Sequence, residues 1–97
     1  MNRDEAILRI KAVEPSIHAL GAASLYLFGS TARNEANPTS DVDIFVDRYP
    51  GRLGFCEFFD LQDLLQDTLG RPVDLATRTS LHPALKDEIE QTAIRIL

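Results

Sequence analysis

Leu25-Tyr26-Leu27-Phe28-Gly29-Ser30, a ten-residue spacer, and then Asp41-Val42-Asp43-Ile44-Phe45-Val46 decide how this chain reads. The first block is apolar and rich in β-formers, so it predicts a buried strand that delivers a Gly-Ser turn to its end. The second predicts another strand. On a pleat of period two, Asp41, Asp43 and Phe45 share one face while Val42, Ile44 and Val46 share the other. Two acids therefore project together, opposite a tight turn carrying a hydroxyl, an arrangement suited to holding metal ions and a polyphosphate. The plainer reading is a loop-to-strand edge with solvated carboxylates. Against it, Asp is depleted in strands, and a carboxylate beside Ile44-Phe45-Val46 is costly unless a cation pairs with it.

A third carboxylate, Asp74, sits in Arg71-Pro72-Val73-Asp74-Leu75-Ala76, a short apolar segment opened by a turn after Gly70. The pattern predicts a third strand. If it lies beside the second with Asp74 on the same face, three carboxylates converge, enough to ligate two divalent ions about 3.5–4 Å apart as two-metal phosphoryl-transfer sites do. Mg²⁺ takes oxygen ligands and keeps some waters, so few carboxylates plus substrate phosphates suffice. Taken alone, Asp74 reads equally as a strand-end acid paired with Arg71 or Arg78.

These residues carry a family resemblance. Gly29-Ser30-Thr31-Ala32-Arg33, Ser40-Asp41-Val42-Asp43-Ile44-Phe45-Val46 and Val73-Asp74-Leu75 resemble the three active-site motifs of the minimal nucleotidyltransferases, in the DNA polymerase beta-like superfamily. The segment Leu81 to Ile89 is similar to that family's last helix. One departure is Asn34, where many members have Gly; Asn tolerates the left-handed backbone better than most residues. The resemblance implies a palm-like α/β (α+β) fold, with Asp41, Asp43 and Asp74 catalytic and metal-binding and Gly29, Ser30 and Arg33 binding nucleotide. It also implies two Mg²⁺ ions and ATP as substrate. Family members of this minimal type act as antitoxins beside a HEPN-domain toxin, adding AMP from ATP to a tyrosine of that ribonuclease.

Composition narrows the partners. A 97-residue chain buries roughly 60–65% of its extended surface, which predicts one domain spanning residues 1–97. The formal net charge is −5, with ten basic against fifteen acidic residues and Lys only at 11 and 86. Nucleic-acid binding rests on clustered cations, and no basic stripe is visible. The acidic surface suits a basic protein or a small cation instead. No apolar run approaches a membrane span, and Met1-Asn2-Arg3-Asp4-Glu5 leads into a helical pattern without a signal-peptide core. Together with a lone Cys56 among phenylalanines, expected to be a buried reduced thiol, this predicts a cytoplasmic protein.

Outward from the motifs, Ala6, Ile7, Ile10 and Val13 recur at helical spacing, and Pro15 and Gly21 bracket a second short helix containing a solvated His18. A short helix from Thr31 to Glu35 would offer its amide end to phosphate oxygens, with Ser30 adding a hydroxyl. Arg33 reads two ways, as a phosphate contact or as a partner of Glu35 or of a second-strand acid. Asn37-Pro38-Thr39-Ser40 is a turn cluster, and Asp47 to Arg52 a loop outside the site. Phe55 to Leu69 fits a long helix ended by Gly70, its phenylalanines assigned to the core and Asp60, Asp63 and Asp67 to solvent. Pro83 opens a last helix with Leu85, Ile89, Ala93 and Ile94 as its apolar stripe, and His82 caps it. The sum is a small mixed sheet of three or four strands, helices on one face and acids on the other.

Two other functions stand beside the toxin-directed transferase. A nucleotidyltransferase acting on a small molecule such as an aminoglycoside would carry an acceptor-binding extension, for which 97 residues leave no room. A catalytically silent module that neutralises by contact would have lost one of the acids or the Gly-Ser turn.

Overall fold

The computed structural model describes residues 2–33 and 41–97. The turn cluster at 37–40, Asn34 and Glu35 lie outside the described residues. Helix α1 (Arg3–Lys11) starts where Asn2 accepts a hydrogen bond from the Glu5 amide, and Asp4 and Glu5 oppose the positive end of the helix dipole. Helix α2 (Glu14–Ala19) follows with Pro15 in its first turn, where a missing amide costs nothing. Strand β1 (Ala22–Phe28) runs into a single helical turn, α3 (Gly29–Ala32). Strand β2 (Val42–Arg48), helix α4 (Phe55–Leu69) and strand β3 (Val73–Thr77) come next. A 3-10 turn, helix α5 (Pro83–Thr92) and the short strand β4 (Ile94–Arg95) close the chain.

The four strands form one mixed sheet in the order β3-β2-β1-β4, in which β2 pairs antiparallel with β1 and parallel with β3. Alternation along each strand sorts the two faces. Leu25 and Leu27 of β1, Val42, Ile44 and Val46 of β2, and Val73 and Leu75 of β3 are buried against Ala6 and Ile10 of α1, Ile17 of α2 and Leu61, Leu65 and Leu69 of α4. Burying a side chain of that size contributes about 1.5–3 kcal/mol, so this single layer holds the fold. Gly70, at φ 67°, ends α4 in the left-handed conformation and turns the chain into β3.

Several expectations are corrected. Asp47 and Arg48 continue β2 rather than opening a loop, because the antiparallel ladder with β1 runs on to Ala22↔Arg48 past an irregularity between Ala22 and Ser24. Ile94 lies in β4, since α5 stops at Thr92 and residue 94 pairs with Leu27. None of the residues of α5 is buried, and Leu85 is half exposed. Cys56 is exposed, not buried. Phe55 and Phe59 are also exposed, at 80% and 46%, leaving Phe58 to reach the core from that end of α4. His18 is not merely solvated: its ring nitrogens meet the Ala22 carbonyl at 2.9 Å and the Glu14 carboxylate at 3.1 Å. His82 does cap α5, accepting from the Ala84 amide at 3.1 Å.

Candidate active site

The face of the sheet turned away from α1 and α4 carries the acids. Tyr26 and Phe28 of β1 are paired with Phe45 and Asp43 of β2, and Asp43 is in turn paired with Asp74 of β3. Paired residues of adjacent strands point to the same face, so the register alone brings the Asp43 and Asp74 carboxylates side by side. Asp41, two residues before Asp43 and just outside the strand, continues the row at its solvent end.

Asp43 is half-buried, and burial first, then the Asp74 and Asp41 carboxylates, push its pKa above the ordinary aspartate value. Arg33, at the C-terminal end of α3, pulls the other way. The three acids and the arginine thus share one electrostatic neighbourhood.

Gly29 occupies the junction of β1 and α3 with φ 72°, a conformation an L side chain enters only at a cost. A Cβ there would lie 3.2 Å from Asp43 Cγ and well inside contact distance of its Oδ2. The glycine therefore lets the backbone of the Gly29-Ser30 turn press against the carboxylate. Thr31, next in the turn, is 2% exposed, and its hydroxyl oxygen has no hydrogen-bond partner among the described residues.

Among the described residues, no three or more His, Cys, Asp or Glu side chains close into a ready-made metal cage. Asp41 and Asp74 are exposed and repel Asp43. An all-oxygen carboxylate set beside a glycine cradle nonetheless suits a hard divalent cation, which completes its shell with water and phosphate.

Beyond the acids, on the same face, Arg78 forms the other feature. Its Nε and one terminal nitrogen donate to both oxygens of Asp47 at 2.8 Å, and a second terminal nitrogen lies 3.5 Å from Glu90 of α5. The guanidinium also sits 4.9 Å from the centroids of both Tyr26 and Phe45, themselves stacked at 4.7 Å. Sequence reasoning left Asp47 outside the site and offered Arg78 to Asp74. The parallel register was the missed signal: Asp43↔Asp74 implies that the residues four further along each strand also meet.

Residues 10–96 match the nucleotidyltransferase domain family, and the chain belongs to it. It is a minimal nucleotidyltransferase in class. A candidate protein adenylyltransferase of Methanocaldococcus jannaschii is 37% identical over 87 residues, covering 90% of this chain and 92% of the relative. The protein adenylyltransferase MntA of Thermococcus cleftensis is 39% identical, covering 77% of this chain and 71% of the relative. A solved candidate minimal nucleotidyltransferase superposes with a TM-score of 0.83 at 32% identity, covering 97% of this chain and 95% of the other. A toxin–antitoxin crystal structure with AMP-PNP shares the fold, with a TM-score of 0.71 at 24% identity over 100% of this chain and 73% of that one.

Among the described residues, no helix is long and apolar enough to cross a membrane.

Proposed function

We propose that the chain is a protein adenylyltransferase, a single domain over residues 1–97 that moves AMP from ATP to a hydroxyl, and that the acceptor is a tyrosine of a HEPN-domain toxin for which it is the antitoxin. One observation carries this reading: Asp43 is set in register beside Asp74 and backed onto the side-chain-free Gly29. The relatives named as protein adenylyltransferases, and MntA among them, supply the acceptor class.

In this reading Asp41, Asp43 and Asp74 would hold divalent metal, Mg²⁺ by preference and two ions by the number of carboxylates. Bound metal would neutralise phosphate charge and lower the pKa of an attacking hydroxyl. The backbone amides of the Gly29-Ser30 turn, the Ser30 hydroxyl and Arg33 would bind the triphosphate. Arg33, already within reach of the acids, would keep the phosphates over Asp43. The acceptor oxygen bonds to the α-phosphorus, the bond to the β-phosphate oxygen breaks, and pyrophosphate leaves while the hydroxyl proton passes to the carboxylates or solvent. Positioning and charge neutralisation supply most of the rate in such transfers. The reaction would take place in the cytoplasm, where ATP is abundant, and no nucleic acid enters it.

The test is to co-express the chain with the product of the adjacent gene and weigh that product intact. Mass increments of whole AMP units that vanish in Asp41→Ala plus Asp43→Ala are the expected result. A partner left unmodified by the wild-type chain would overturn the reading, and neutralisation without modification would establish contact alone as the mode of action.

A further inference from the structure

Strand β3 is an edge of the sheet, so every second residue turns its backbone N–H and C=O away from β2. Those residues are Val73, Leu75 and Thr77. The Val73 amide donates to Gln66 of α4 at 3.1 Å, and its carbonyl accepts from Gln62 at 2.8 Å. The Thr77 amide donates to the Ser80 hydroxyl at 3.1 Å, which donates back to the Thr77 carbonyl at 2.9 Å. Side chains therefore seal both ends of the edge. Leu75, between them, has no such cap among the described residues.

The gap opens on a groove of about 440 Å³ whose walls include Leu75, Ala76 and Thr77 on one side and Phe55, Phe58 and Phe59 on the other. On α4 the two exposed phenylalanines lie along the same side as Gln62 and Gln66, continuing the strip that covers β3 but leaving it open. One turn after Phe59 on that side comes the exposed Asp63, and α4 contains no Lys, Arg or His. Arg48, on the far wall, is the groove's cation.

We propose that this groove is a docking site for an extended segment of a partner protein, which pairs with the outward N–H and C=O of Leu75, seats an apolar side chain among the phenylalanines and points a basic one at Asp63. An uncapped strand residue selects an extended occupant over a helix, because only an extended backbone can satisfy both of its groups. Asp63 selects a basic flanking residue, and exposed aromatics supply anchors that lose little entropy on binding. The site is separate from the carboxylate cluster, and it rests on the function proposed above only in taking the partner to be the modified protein.

The probe is a six-residue peptide alternating valine and lysine, read by amide exchange and chemical shifts. Slowing of Leu75 exchange by at least tenfold at saturation, with shifts confined to the groove, is expected. Methylating the peptide's central amides, replacing its lysines by glutamates, or substituting Phe55→Ser plus Phe59→Ser should each weaken binding at least tenfold. The proposal is overturned if Leu75 is unaffected, if only a helical leucine–lysine peptide fills the groove, or if the phenylalanine double variant abolishes a dimer of this chain, since a second copy would then be the occupant. The same double variant should weaken the complex with the adjacent gene's product at least tenfold while leaving ATP binding unchanged. A complex and modification both untouched by it would refute the docking site and leave the enzymatic reading intact; an unmodified partner beside a positive peptide result would do the reverse.

Discussion

Gly29 and the Asp43 carboxylate are in such close approach that no other residue type fits at position 29 without moving Asp43. The turn that would bind phosphates and the acid that would bind metal are thus built as one unit. Gly29→Ala should lose stability twice over, from the positive φ and from the displaced carboxylate, by about 1–3 kcal/mol. Chemical denaturation measures the loss, and transfer activity should fall further than the residual folded fraction explains.

Asp43→Asn separates the cost of the acid cluster from its use. Because the folded-state pKa of Asp43 is raised above the ordinary 3.8, the folded protein holds that proton more tightly than the unfolded chain does. Its contribution is therefore most favourable below the unfolded value and is lost as pH climbs through the raised one. Without metal, the wild-type advantage over Asp43→Asn should shrink across that window. Adding Mg²⁺ at neutral pH should raise the melting temperature of the wild type and leave Asp43→Asn unmoved, with transfer abolished.

Thr31→Val tests the orphaned hydroxyl. A buried polar atom without a partner costs about 1–3 kcal/mol, and among the described residues this hydroxyl has none, so the substitution should leave the free protein unchanged or more stable. If transfer falls at the same time, the hydroxyl finds its partner in the substrate complex; thermal melts with and without ATP separate the two outcomes.

Arg78→Met removes the fork to Asp47, the contact to Glu90 and the stack on Tyr26 and Phe45 together. With the side chains of Arg78 and Asp47 about one-third exposed, a loss of about 1–2 kcal/mol is expected. Arg78→Lys should recover little of it, because an ammonium cannot reproduce the planar fork.

Much of this arrangement was legible. Val42-Asp43-Ile44 and Val73-Asp74-Leu75 show the same apolar-acid-apolar alternation, so two strands packed on the same helices had to turn both acids to the other face. Gly70 announced the end of α4 for the same local reason. Periodicity could not show which apolar residues of an amphipathic helix reach the core. Phe55 and Phe59 are as apolar as Leu61 and Leu65 but lie toward the side of α4 that carries Gln62 and Gln66, and they stay exposed. Nor could it foresee β4, a two-residue strand whose existence depends on the free edge of β1. Asp47 and Arg78 lie 31 residues apart, and their pairing follows from strand register, which a single sequence does not print.

That register has a mechanical corollary. The parallel contact of β2 and β3 holds two like charges together at one end and two opposite charges together at the other, about 13 Å away. The latch of Arg78 on Asp47 opposes any slippage that would let the crowded aspartates drift apart. If the acids hold metal as proposed, affinity for the cation would in this way be preloaded during folding and open to tuning by a substitution that never touches the metal.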